Sequence, residues 1–221
     1  MSMISQQIRA VVFDMGGTLM EYTGMPLSWS RHYPQAFRSL AAKLEMAPSD
    51  ERILQASERL AAYNPRLTGR QREYTPEKIF ADVLQDWPDD LPISDCIEEF
   101  WRGMGLCSTV YPQSVRVLSE LRRAGYRIAV LTDLPSAMPD EIFRREIAEL
   151  EPYIDMYVSS AVAGYRKPNP AGLRMIADAF RLSADEMVFI GDEEKDRITA
   201  QNFGCGFISV GRDTSGLDRL I

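Results

Sequence analysis

The stretch Val11-Val12-Phe13-Asp14-Met15-Gly16-Gly17-Thr18-Leu19 decides the reading of this chain. Three apolar, strand-forming residues lead straight into an aspartate, and two glycines follow closely. A buried strand that ends on a carboxylate is how an open α/β sheet presents a reactive side chain at the carboxyl edge of its strands. Asp14 is therefore the candidate nucleophile. Two residues on stands Gly16, which has no side chain with which to move a proton.

From residue 110 onward, short apolar runs alternate with segments of helical period. Ser114 to Ala124 places Val115, Leu118 and Leu121 on one face and stops at Gly125; Arg127-Ile128-Ala129-Val130-Leu131 then reads as a buried strand. A helix over Asp140–Leu150 precedes the strand Met156–Ser159, and one over Ala171–Arg181 precedes Met187–Ile190. A last helix from Glu194 ends near Gly204, before the strand Gly206–Val210. This alternation predicts a parallel sheet flanked by helices.

Residues 20 to 107 carry no strand pattern and instead predict four helices. Phe37, Leu40, Ala41 and Leu44 recur at helical spacing, and Thr75-Pro76 supplies a cap and first-turn proline to Ile79, Phe80, Val83, Leu84 and Trp87. Ser49–Tyr63 and Ser94–Met104 are the other two. Trp29, Trp87 and Trp101 read as the core of this helical block rather than as a dimer surface. Nothing in the pattern specifies an oligomeric state.

Four polar sites follow apolar strands: Asp14, Thr132-Asp133 after Leu131, Lys167 in a loop, and Asp192 with Asp196 after Ile190-Gly191. Each alone reads as ordinary loop chemistry. Their ordered recurrence at strand ends points to one shared crevice. Asp14, Asp192 and Asp196 would gather three carboxylates against the single charge of Lys167, and such a cluster calls for a hard cation, Mg²⁺ before softer metals. Glu193 and Glu194 read instead as a helix first turn favoured by the macrodipole.

The chain has 221 residues, with 25 Lys and Arg against 32 Asp and Glu, for a net charge of −7. The basic residues are scattered, so the footprint of a nucleic-acid binder is missing, and small ligands or a cation are the expected partners. Cys96, Cys107 and Cys205 form no CxxC pair, which points away from a disulfide framework or a zinc cluster and fits a reducing cytoplasm. No apolar run has the length of a membrane span, and the first residues lack signal-peptide character.

The ordered set Phe-Asp-x-x-x-Thr-Leu at 13–19, Leu131-Thr132-Asp133, Gly164-Tyr165-Arg166-Lys167-Pro168-Asn169-Pro170 and Ile190-Gly191-Asp192-x-x-x-Asp196 resembles the haloacid dehalogenase superfamily, whose members are mostly phosphatases. The resemblance implies an α/β fold: a Rossmann-like parallel-sheet core from residues 1–19 and 108–221, with a helical cap domain at 20–107 inserted after the first strand. It implies that Asp14 takes up a phosphoryl group as an aspartyl phosphate, that Thr132 hydrogen-bonds a phosphoryl oxygen and that Lys167 neutralises charge. It also implies Mg²⁺ held by Asp14, the Gly16 backbone carbonyl and Asp192, with Asp196 acting through water. The substrate class implied is a small phosphorylated metabolite.

Gly16 departs from the family's phosphatases, which carry there an Asp that protonates the leaving group and activates water. Losing it removes roughly 10²–10⁴-fold of general acid–base catalysis. By type alone, Glu21, Asp133 and the single histidine, His32, are candidate replacements, and the stretch Arg66 to Arg72 is a candidate anion contact or an exposed loop. Other readings stay open: attack of Asp14 on carbon as in the dehalogenases, C–P cleavage through an imine on Lys43 or Lys78, or a protein that binds metal and phosphate with little turnover.

Overall fold

The computed structural model describes residues 7–26, 28–211 and 216–220. Its centre is β1, Ala10–Phe13, whose residues are all buried. Both faces of a parallel strand are covered by helices, so its side chains divide by parity rather than into inside and outside. Val11 and Phe13 enter one apolar cluster, and Ala10 and Val12 enter the other.

The chain then runs through β2 (Met20–Tyr22), five helices, and β3 (Ser108–Val110). The helices are α1 (Tyr33–Lys43), α2 (Asp50–Ala62), α3 (Pro65–Thr68), α4 (Pro76–Val83) and α5 (Ile93–Gly103). The expected Thr75 cap forms, its hydroxyl accepting from the Lys78 N–H, and Ser49 caps α2 in the same way by accepting from the Arg52 N–H, each at 3.3 Å. Phe37, Phe80, Phe100 and Trp87 make the helical core, with Phe37 and Phe100 rings 4.7 Å apart. Trp87 and Trp101 are buried as expected.

Beyond β3 come α6 (Pro112–Arg123), β4 (Arg127–Thr132), α7 (Asp140–Glu146), β5 (Met156–Ser159), α8 (Ser160–Ala163), α9 (Ala171–Phe180), β6 (Met187–Gly191), α10 (Glu194–Phe203) and β7 (Gly206–Ser209). The five-stranded sheet has the order β5-β4-β1-β6-β7, with every pairing parallel. Phe13 lies opposite Val130 on one side and Ile190 on the other. That register sets the residues after β1, β4 and β6 side by side.

Three expectations change. The block from 20 to 107 does contain strand: β2, at its start, pairs antiparallel with β3, which follows directly after it. It also holds the one-turn helix α3, begun by the Asn64 side chain accepting from the Arg66 N–H at 3.0 Å. The helix expected over Asp140–Leu150 ends at Glu146; Ile147 and Leu150 stay buried, but through successive turns rather than helix.

Buried polar contacts tie the helical block to the sheet domain. The Arg166 N–H donates to the Gln71 carbonyl at 2.7 Å and the Glu73 N–H to that of Gly164 at 3.0 Å. Glu73 is paired with both Arg70 and Arg166, all three nearly sequestered from solvent. Trp101 Nε1 donates to the Ala137 carbonyl at 2.8 Å. Removing one member of a buried ion pair leaves an uncompensated charge, which costs roughly 3–5 kcal/mol. Glu73→Ala is expected to lower unfolding free energy by about that amount in urea titrations, whereas an exposed pair such as Arg38–Asp50 is expected to give under about 1 kcal/mol on truncation.

Candidate active site

Asp14 follows β1 at the sheet's carboxyl edge and is anchored by its own N–H, which donates to the Ile190 carbonyl of β6 at 2.8 Å. The residue is 4% exposed. Lys167 arrives from the loop before α9, donating from Nζ to Asp14 Oδ1 at 2.5 Å and lying 2.7 Å from Asp196 Oδ1. Asp14, Asp192 and Asp196 bring carboxylate oxygens within 4.8 Å of one another. Thr132, at the end of β4, lines the same cavity as Asp14 and Gly16. Sequence reasoning named all six residues, and the fold brings them together.

Local structure fixes each acid. Asp196 Oδ2 accepts from the Glu193 N–H at 3.0 Å, capping α10, while Oδ1 is buried and receives no aligned hydrogen bond. Gly191 is required beside it: a Cβ there would lie 2.6 Å from the Asp196 Cβ. The Thr18 hydroxyl donates to Asp192 Oδ1 at 3.3 Å. At Gly16 the opposite holds, since an added Cβ would meet nothing within 4 Å.

Burial raises the Asp14 carboxyl to about 7, with Lys167 opposing and Asp196 reinforcing the shift. For Lys167, burial disfavours the charge, but Asp14, Asp196 and Asp133 outweigh it and hold the ammonium protonated above its ordinary range. Burial also opposes ionisation of Asp133, yet Lys195, Arg166 and Lys167 hold it at about 2. Three carboxylates whose oxygens lie within 4.8 Å of one another, two of them sharing one ammonium, form a donor set that fits a hard divalent cation.

The cavity above Asp14 has a volume of about 240 Å³. The helical block lines it through Trp29, Tyr33 and Arg66, the last paired with Glu193 of the sheet domain. Glu193 therefore does more than favour a helix terminus. Lys195 also lines the cavity, 3.1 Å from Asp133 Oδ2. Arg66, from the stretch the sequence offers as an anion contact or an exposed loop, thus lines the cavity, whereas Lys195 carries no sequence signal because its partner Asp133 is remote. His32 lies outside the cavity lining, accepting from Arg31 Nε at 3.1 Å. Lys43 and Lys78 are absent from the lining too; the Lys78 ammonium sits 4.5 Å over the Tyr74 ring.

The model of the haloacid dehalogenase-like hydrolase family matches residues 8–204. The chain belongs to this family. Among its relatives, this hydrolase is 30% identical over 204 residues to a phosphoglycolate phosphatase of Aliivibrio fischeri, covering 90% of this chain and 82% of the relative. It is 28% identical over 207 residues to a phosphoglycolate phosphatase of Vibrio parahaemolyticus, covering 92% and 83%. The solved structure of a HAD phosphatase from Thermococcus onnurineus shares the fold at a TM-score of 0.58 and 20% identity, over 93% of this chain and 87% of that one.

The raised Asp14 value carries a stability consequence. Protonation of Asp14 stabilises the folded, metal-free hydrolase fully below about 3.8, and this contribution is lost as pH rises through about 7. In chelator, Asp14→Asn is expected to melt above the native chain at pH 8 by several °C, at roughly 2–4 °C per kcal/mol for this size, with the gap closing toward pH 5. Thermal unfolding across that range checks it; a variant that melts lower at pH 8 would show that the Lys167 pair outweighs the burial penalty.

Proposed function

We propose that this hydrolase is a Mg²⁺-dependent phosphomonoester phosphatase of a small metabolite, working through an aspartyl-phosphate intermediate on Asp14. The observation that carries this reading is the cluster of buried Asp14, Lys167 and Asp196 with half-buried Asp192, of which Asp14 opens onto the cavity. The relatives named as phosphoglycolate phosphatases support a small phosphorylated acid as the substrate class.

In this reading Asp14 attacks phosphorus in line with the leaving oxygen. Lys167, held by Asp196, keeps the attacking carboxylate oriented and ionised as charge builds on the phosphoryl oxygens. The Thr132 hydroxyl donates to one of those oxygens. Asp14, the Gly16 carbonyl and Asp192 would hold Mg²⁺, with Asp196 behind them. When bound, the metal supplies positive charge to the phosphoryl group and offsets the clustered carboxylates. Catalysis of phosphoryl transfer is mostly positioning and electrostatics, so these groups supply most of what the reaction needs.

The helical block, residues 20–107, acts in this proposal as a cap that selects substrate and limits water through Trp29, Tyr33 and Arg66. Three free thiols fit a reducing compartment, the cytoplasm. Among the described residues no helix is long and apolar enough to cross a membrane. An imine mechanism loses support because neither Lys43 nor Lys78 lines the cavity, and carbon attack loses it because that chemistry has no use for the acidic cluster.

The test is phosphate release from a panel of phosphorylated metabolites, with and without Mg²⁺. Metal-dependent release is expected, falling at least about 10³-fold in Asp14→Asn, since removing a nucleophile leaves only binding and electrostatic contributions. Release that survives in Asp14→Asn, or none from any substrate while Mg²⁺ still binds, overturns the phosphatase reading.

A further inference from the structure

Phosphoryl transfer to Asp14 still needs a proton for the leaving oxygen and later a base for water, and Gly16 provides neither. The cavity itself narrows the field. Among the described residues, four of those lining it carry carboxylates: Asp14, Glu21, Asp133 and Glu193. Asp14 is the nucleophile. Asp133 is fixed between the Lys167 N–H at 3.0 Å and the Lys195 ammonium at 3.1 Å. Glu193 is paired with Arg66 and, at 3.3 Å, with Lys195. A carboxylate facing cations holds its charge and gives up its capacity to carry a proton. Of the lining phenols, burial pushes Tyr33 up to about 12 and Tyr22 further still, and Tyr111 donates to Glu21 itself.

Glu21 differs in both partner and place. The Tyr111 hydroxyl, a neutral group, lies 3.3 Å from its Oε2 and can donate to a carboxylate or accept from a carboxylic acid. Its position follows from the turn after Asp14: Gly16 bridges Met20, and the Gly17 N–H donates to the Met20 carbonyl at 2.7 Å. Glu21 follows in β2 as its exposed residue and joins Asp14 and Gly16 along the cavity, which its strand neighbours Met20 and Tyr22 also line. Glu21 therefore starts one residue from the backbone paired with Gly16, beside a position where an added Cβ would meet nothing within 4 Å.

We infer that Glu21 is the general acid and base of this hydrolase, taking over from β2 the proton transfers that Gly16 cannot perform. The inference rests on the phosphatase reading. In the first step Asp14 Oδ bonds to phosphorus, the bond from phosphorus to the leaving oxygen breaks, and the Glu21 carboxyl passes its proton to that oxygen. In the second, water attacks the aspartyl phosphate, the Glu21 carboxylate takes the water proton, and the acyl oxygen–phosphorus bond breaks to restore Asp14 and release phosphate.

The experiment compares Glu21→Gln with the native chain on p-nitrophenyl phosphate, whose leaving group departs without an acid, and on an alkyl phosphomonoester that the native chain hydrolyses. With p-nitrophenyl phosphate the variant is expected to give a burst of about one equivalent of nitrophenolate at near-native rate, then turn over roughly 10²–10⁴-fold more slowly as phosphoenzyme accumulates. With the alkyl ester the first turnover itself is expected to slow, with no burst. Adding Gly16→Asp to Glu21→Gln is expected to restore at least about tenfold of the lost alkyl turnover, which a purely structural lesion at Glu21 would not allow. Native turnover of both esters by Glu21→Gln, or an equal loss in every step that Gly16→Asp fails to rescue, overturns the assignment. Asp14→Asn runs beside it: if it keeps activity on both esters, the phosphatase reading fails, whatever Glu21 does.

Discussion

The structure is organised around one buried cation. Lys167, almost without solvent, lies between Asp14 and Asp196, and neither acid would tolerate its own burial without it. The ammonium is in turn held charged only by those acids and Asp133. Mutual dependence of this kind demands that four chain segments arrive together: the ends of β1 and β4, the loop before α9, and the first turn of α10. A sheet with β1 at its centre delivers three of them by register alone. The fourth, the lysine loop, has no strand to align it and is fixed by side chains and backbone instead. Asp133 accepts from the Lys167 N–H, and Arg166 donates to the Leu134 carbonyl at 2.6 Å while pairing with Glu73.

That last pair links the cap-like helices to the chemistry. Arg166 precedes the lysine directly, and its partner Glu73 comes from the connection between α3 and α4. The tie lies next to the counter-ion of Asp14, so the helical block cannot move far at this point without disturbing the backbone that carries Lys167. Tyr63 and Trp101 add bonds to Ser136 and Ala137 on the adjoining loop. The two halves of the molecule share this polar seam in addition to their two chain crossings.

What the sequence made legible follows from the range of the forces involved. β1, β4 and β6 are continuous apolar runs because both their faces are buried, and α1, α2 and α4 announce themselves through caps and spacing that act within four residues. β2 and β3 were missed because three-residue strands with a single fully buried side chain, Met20, leave no alternation to read. α7 was overextended because Ile147 and Leu150 keep a helical spacing while the backbone has already left the helix. Asp14, Thr132, Lys167, Asp192 and Asp196 were named from their order along the chain. Arg66 looked like a solvated charge because its partner Glu193 lies 127 residues away, and the same distance problem hid Glu73 and Arg166.

The glycine at position 16 is best understood through the charge of the cluster it adjoins. An aspartate there would fit sterically, since its Cβ meets nothing. Its cost is electrostatic: a fourth carboxylate beside Asp14, Asp192 and Asp196, where Lys167 is already shared and Asp14 is pushed to about 7 by its burial. Omitting it lowers the repulsion that the metal-free site must bear and leaves the Gly16 carbonyl available as a neutral oxygen. The proton-transfer group can then sit outside that crowded field. Glu21 meets this condition, because β2 projects it over the cavity beside a hydroxyl instead of an ammonium. A carboxyl that must gain and lose a proton in each cycle works best where no cation fixes its charge, and within this cavity that place is the strand following the glycine turn.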